Sequence, residues 1–358
     1  MVIYHLFEIY SPGPCEQIIN HGYLAVDFFF ILSGFVIGYA YDDRWEKGMS
    51  QWYFYKRRLL RLQPMVILGT LIGAFWFYFG DAPAFIYVME TPWWKLLLIM
   101  LLGCLMFPTP PSLDIRGWSE INSLNGAAWS LMWEYVTNIL YAVLIRRFTK
   151  VALTLFVAPS SLFTIDICFN LDLFGLLKVR EYAAYTVIGG FGLSADQIYI
   201  GVGRLLFPFF GGLLIYRLNL RLRISRQGFL MCSLAMAVIL GMPHLGGDTP
   251  NWINGAYCAF VIMMLFPMIV MTGAGSPLEG RKTIAVCKFL GEISYPLYIT
   301  HYPMIYVMMK WSAEHAYVST GTHVWVCMCI FLASIAVAYA SLKVYDIPVR
   351  KWLTEHWK

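Results

Sequence analysis

The chain has 358 residues, 59% of them hydrophobic and only 13% charged, with a mean hydropathy of +0.62. Soluble domains are about half apolar and a quarter charged, so a soluble globular protein is excluded and an all-α, polytopic protein of the lipid bilayer is expected. The formal charge of +5 comes from Lys and Arg at helix ends rather than from a continuous patch, which suits cytoplasmic loops and points away from a nucleic-acid partner. Apolar runs recur along the whole length, so residues 1–358 read as a single membrane domain. Of the eight cysteines, Cys104, Cys168, Cys232, Cys258, Cys287, Cys327 and Cys329 lie in or near apolar runs and no C-x-x-C pair exists. Neither a metal site nor a disulfide framework is expected.

Residues 1–10 would make about 15 Å of helix, half the hydrocarbon thickness. The expectation is a first helix truncated at its start. A polar loop over 11–21 follows, with Pro12, Gly13 and Pro14 as breakers. Residues 22–41 then form the first complete span, and Asp27 sits inside it. A carboxylate at membrane depth costs at least a few kcal/mol unless it is paired or faces a polar cavity. Solvation at the outer helix end is the alternative. Ser33 and Gly34 leave a small notch in the same helix, for which close packing is the simpler use.

Residues 42–63 carry Lys56, Arg57, Arg58 and Arg61 and are placed on the cytoplasmic side by the positive-inside rule. Residues 65–80 lead outward. The segment 95–107 is short for a span, and counting it as one would put Arg146 and Arg147 outside, against the charge rule. It is therefore expected to be interfacial, re-entrant or merged with its neighbour. A polar stretch over 108–125 leads into the helix that carries Trp129, Ser130 and Glu134. Further spans are expected at 151–163, 200–216, 229–242, 252–271, 293–310 and 324–342, with a weaker one at 182–193, for a total of about ten or eleven. The basic stretches 217–226 and 279–288 fall on one side if the two helices between them both cross.

His5, Val26-Asp-Phe-Phe-Phe-Ile-Leu-Ser-Gly-Phe35, Phe54-Tyr-Lys-Arg-Arg-Leu-Leu-Arg61, Trp129-Ser-Leu-Met-Trp-Glu134 and Leu290-Gly-Glu-Ile-Ser-Tyr-Pro-Leu-Tyr-Ile-Thr-His301 occur in that order, and Asp346-Ile-Pro-Val-Arg350 closes the chain. Together they resemble the acyltransferase-3 family of bacterial integral-membrane O-acyltransferases. In that family these are a His at the end of the first helix, FF-x-LSGF, a basic run, WSL-x-x-E, LG-x-x-S-Y-x-LYL-x-H and an acidic-x-P-x-R signature. The similarity covers nearly the whole chain. The family also carries an Arg or Lys with ten residues between it and the His. Counted back from His5, that position falls before Met1, so a reading frame that extends upstream is expected.

The resemblance implies transfer of an acyl group, expected to be acetyl, from cytoplasmic acyl-CoA to a hydroxyl of a carbohydrate or glycoconjugate, in a bacterial inner membrane. Acyl-CoA is then a donor substrate, and no cofactor is held permanently. An alcohol is a poor nucleophile at neutral pH and needs a base, and the resemblance assigns that role to His5. Glu134 is implied to position His5 or the acceptor, with capping by the helix dipole as the alternative. Arg57, Arg58 and Arg61 are implied to hold the donor's phosphates, because Arg suits bidentate phosphate contact. Topological anchoring is their alternative. Arg204, inside an apolar segment, either pairs with another helix or meets substrate. Asp27, Ser33, Trp129, Ser130 and His301 are candidate supporting residues, and structural hydrogen bonding is the simpler role for His301. No Ser or Cys stands out as a nucleophile. A transporter or flippase for a lipid-linked sugar would explain the helices, Asp27 and Arg204, but not the ordered motifs.

Overall fold

A computed structural model describes residues 1–357 apart from 18, 80–86, 89, 179 and 224–226, and the regular structure among them is all helical. The helices are α1 (Val2–Glu8), α2 (Ala25–Glu46), α3 (Gln51–Phe79), α4 (Trp93–Cys104), α5 (Trp129–Val143), α6 (Lys150–Phe169), α7 (Ala195–Arg217), α8 (Gly228–Gly241), α9 (Trp252–Phe260), α10 (Phe266–Gly275), α11 (Arg281–Glu314), α12 (Thr320–Ala340) and α13 (Ile347–His356). Single π-helical segments, Val261–Leu265 and Ser341–Asp346, join α9 to α10 and α12 to α13. Each ends two residues before a proline, where a missing backbone N–H makes the wider turn inexpensive.

Among the described residues, six segments are long and apolar enough to cross a membrane: 20–46, 51–79, 150–169, 195–217, 252–275 and 320–356. The 34-residue α11 and the shorter α1, α4, α5 and α8 complete the bundle of this multi-pass membrane protein. Gly80 and Arg226, each the end of an expected segment, lie outside the described residues.

The expected weak span at 182–193 is a correction. Past the short 3-10 turn Glu181–Ala183 the chain is irregular, with Tyr185, Gly189 and Gly190 at positive φ. The segment wraps instead around the Arg180 guanidinium, which donates to the carbonyls of Ala183, Thr186 and Ile188 at 2.8–3.2 Å.

The fate of the segment 95–107 explains the clash between span counting and charge. α4 runs back along α3 only as far as Gln63, whose side-chain amide donates to Cys104 O. The chain then turns back, so that Leu124 O lies against Gly73 and the Asn125 amide donates to Ile299 O at 2.8 Å. Pro303 leaves that carbonyl without its helical donor, and Asn125 supplies one. α4 is therefore a partial, re-entrant helix. α5 descends from there, and Gln51 donates to Ala142 O near its end. Arg217 ties the same end together, bound to Asp42 at 2.7 Å and to Phe148 O at 2.9 Å. Arg146 and Arg147 thus share an end with Arg44, Gln51 and Arg217, as the charge rule requires.

The tightest packing joins α2 to α7. A Cβ built on Gly34 would lie 1.8 Å from Phe209 O, and one on Gly212 would lie 1.9 Å from Ile31 O. The two backbones touch, and the small notch at Gly34 is a packing device.

Candidate active site

At the end of the bundle opposite the arginines, a cavity of about 460 Å³ opens between α1, the loops 11–17, 118–127 and 188–191, α7 and α11. His5, Glu8, Glu120, Trp129, Arg204 and Tyr302 are on its wall. The His5 ring is buried between Tyr4 and Tyr302, at centroid distances of 5.0 and 4.8 Å, and lies 5.6 Å from the ring of His301. His5 Nδ1 is 2.7 Å from Glu8 Oε2. An ionised carboxylate only accepts, so Nδ1 carries the hydrogen, and in the neutral ring Nε2 then keeps its lone pair. That Nε2 is enclosed and has no hydrogen-bond partner in the protein.

His301, fully buried, presents Nδ1 to Leu297 O and Tyr298 O at 3.0 and 2.8 Å, and its Nε2 is also unpartnered. It is held by backbone carbonyls, as the alternative reading expected, yet its free nitrogen belongs to the ring beside His5.

Asp27 and Arg204 meet across α2 and α7. Arg204 Nη2 and Nε lie 2.7 and 3.2 Å from the two carboxylate oxygens, and the guanidinium also donates to Tyr23 O and Gly189 O. Solvation of Asp27 at a helix end is thereby overturned, since its side chain is 0% exposed. The Trp129 ring lies 5.1 Å from the guanidinium carbon, so Arg204 borders the cavity with most of its N–H donors already used.

Glu134 is on neither the first turn of α5 nor the wall of the cavity. α5 begins at Trp129, which puts Glu134 in the second turn, beyond the reach of the helix dipole. Its Oε1 instead accepts from Arg58 Nη2 and from Ser33 Oγ, the latter at 3.1 Å. Both readings made from sequence are corrected in this respect: Glu134 binds Arg58 and Ser33 rather than capping its helix or touching His5. Between this cluster and the cavity, Ser130 Oγ donates to Tyr298 OH, which donates onward to Ala127 O.

At the basic end, a second cavity of about 660 Å³ is lined by Arg44, Arg57, Arg61 and Arg350, with Tyr295, Pro296, Glu292 and Asp346. Arg57 and Arg61 share one face of α3, as their spacing requires. Arg58 leaves the expected trio, because the next position points inward to Glu134. Arg350 is oriented by Asp346 at 2.7 Å.

Sequence reasoning missed Glu8 and Glu120. Glu8 was legible as the partner of His5, since a spacing of three puts both on one helix face. Glu120 lies in an irregular loop whose path no periodicity reveals. Its Oε2 is enclosed without a partner, and burial pushes its carboxyl up to about 8 in spite of nearby Arg116. All eight cysteines are free, and no group of metal-binding side chains occurs among the described residues.

A family model described as an acyltransferase domain matches residues 1–343. The chain is 32% identical to "Protein 2 in picA locus" of Rhizobium radiobacter over 44% of this chain and 81% of that one. It is 24% identical to the O-acetyltransferase OatA of Staphylococcus aureus and 23% to the peptidoglycan O-acetyltransferase OatA of Listeria monocytogenes, each over 98% of this chain. The chain spans about half the length of these two relatives, 55% and 54%. No solved structure matches. Matched by the family model over nearly its whole length and helical throughout its regular structure, the chain belongs to the acyltransferase-3 family of integral-membrane O-acyltransferases.

Proposed function

We propose that the protein moves an acyl group, acetyl by analogy with the OatA relatives, from cytoplasmic acyl-CoA to a hydroxyl of a carbohydrate or cell-surface glycoconjugate, as one membrane domain of a bacterial inner membrane. The observation that carries this reading is the pair of cavities at opposite ends of one bundle. Four arginines around the inner one suit a polyphosphate such as the nucleotide end of coenzyme A. The outer one offers aromatic walls and the His5 side chain, which suit a sugar hydroxyl.

Pro296 lines the inner cavity and Tyr302 the outer, and six residues of α11 rise about 9 Å. An extended thioester arm bound among the arginines could cross that septum past Tyr298 and Ser130. His5 Nε2 takes the proton of the acceptor hydroxyl as its oxygen attacks the thioester carbonyl carbon. The C–S bond breaks, and the proton leaves with the sulfur as the free thiol. Arg58, Glu134 and Ser33 hold α2, α3 and α5 together around this path, and Asp27 with Arg204 fixes α2 to α7 beside the acceptor.

Purified protein given radiolabelled acetyl-CoA, with and without a carbohydrate acceptor, should release CoA faster when the acceptor is present and label the acceptor through an ester. Acetyl-CoA that neither binds nor turns over would overturn the reading.

A further inference from the structure

We infer that Glu8 is a positioning residue for the acyl transfer, holding His5 in the tautomer that leaves Nε2 basic. The inference rests on the proposed role of His5 as the base.

Three observations carry it. Glu8 Oε2 is 2.7 Å from His5 Nδ1, a short charge-assisted distance. The opposite nitrogen, Nε2, is enclosed and has no protein partner. Both side chains line the same cavity. Without a partner an imidazole divides between two tautomers, and only the one protonated on Nδ1 leaves Nε2 able to take a proton.

The α1 backbone sets this geometry. His5 and Glu8 are three residues apart on α1, so their side chains lie on adjacent turns of one face. That face is fixed from outside the helix, where Gln17 donates to Tyr4 O at 2.9 Å and Tyr302 closes on the His5 ring. The other titratable groups facing His5 or sharing its cavity are Tyr4 on α1, Tyr23, Glu120, Arg204 in its pair with Asp27, and His301 with Tyr302 on α11. Of these groups and Glu8, only Glu8 hydrogen-bonds to a ring nitrogen of His5.

The test uses the full chain in detergent, with histidine labelled in its ring nitrogens and the His5 signals assigned by their loss in His5→Ala. In the wild-type protein His5 should be the Nδ1–H tautomer. In Glu8→Ala, which leaves Nδ1 without its acceptor on α1, the ring should divide between the two tautomers. CoA release from acetyl-CoA should fall in kcat by on the order of 10-fold, less than for removal of the base itself, while KM for acetyl-CoA stays unchanged. Glu8→Asp should recover part of both effects. An unchanged tautomer or unchanged turnover in Glu8→Ala, with His5→Ala inactive, overturns the role of Glu8 alone. Full turnover by His5→Ala instead overturns the assignment of the base.

Discussion

Asp27 and Arg204 form a two-point ion pair between α2 and α7, with side chains 0% and 3% exposed. The pair sits where a lone charge of either sign would be stranded at membrane depth. Arg204→Ala should therefore destabilise the protein by about 3–5 kcal/mol, because it orphans a buried carboxylate. Replacing both residues by apolar ones of similar volume should cost less than either single change. Thermal unfolding in detergent checks this, and equal losses in the single and double variants would show that the pairing itself does not matter.

His5→Ala should lower acyl transfer by a factor of about 10² to 10⁴, the usual cost of removing a general base, while the protein still inserts in the membrane. The ring fills space between Tyr4 and Tyr302, so His5→Gln or His5→Asn is the companion variant that keeps most of the volume. Near-normal turnover in well-inserted protein would sink the assignment.

The three neighbouring arginines of α3 should separate in their effects. Arg57→Ala with Arg61→Ala should weaken acetyl-CoA binding, and more at low salt than at high, since partly exposed phosphate contacts are screened. Arg58→Ala should act on stability instead, because it leaves Glu134 with only Ser33 as a side-chain partner. Calorimetric titration at two ionic strengths, beside thermal unfolding, distinguishes these outcomes. Equal donor affinity in the double variant and the wild type would reduce Arg57 and Arg61 to anchors.

Much of this arrangement was readable before any coordinates. The apolar runs announced the helices, and the conflict between charge and span count at 95–107 pointed to the re-entrant α4. The motifs brought His5, Glu134 and the arginines into view, but a motif says nothing of which way a side chain turns. Arg58 and Arg57 are neighbours in sequence and about 100° apart around α3, so one meets Glu134 and the other the inner cavity. The segment 182–193 misled because its apolar content serves a loop wound around Arg180, and composition does not report a buried guanidinium taking three carbonyls. Glu120 was invisible for a related reason. Only the return of the chain past α4 brings it to the wall of the His5 cavity.

Glu120 also ties stability to pH. Its carboxyl, ordinarily near 4.5, is pushed up to about 8 by burial, with Arg116 opposing and Glu8 and Asp114 adding to the shift. A carboxyl whose pKa is raised on folding favours the native state while it is protonated. That contribution is complete below about 4.5 and is lost as the pH climbs through about 8. Above that range the folded protein must hold an anion with Oε2 enclosed and unpartnered. Glu120→Gln keeps the shape and cannot ionise, so its unfolding temperature should fall less than that of the wild type between about pH 6 and pH 9. Thermal unfolding of both proteins across that range is the measurement. Parallel curves would show that Glu120 ionises in the native state as freely as in water, and that the cavity wall beside His5 is wetter than its packing indicates.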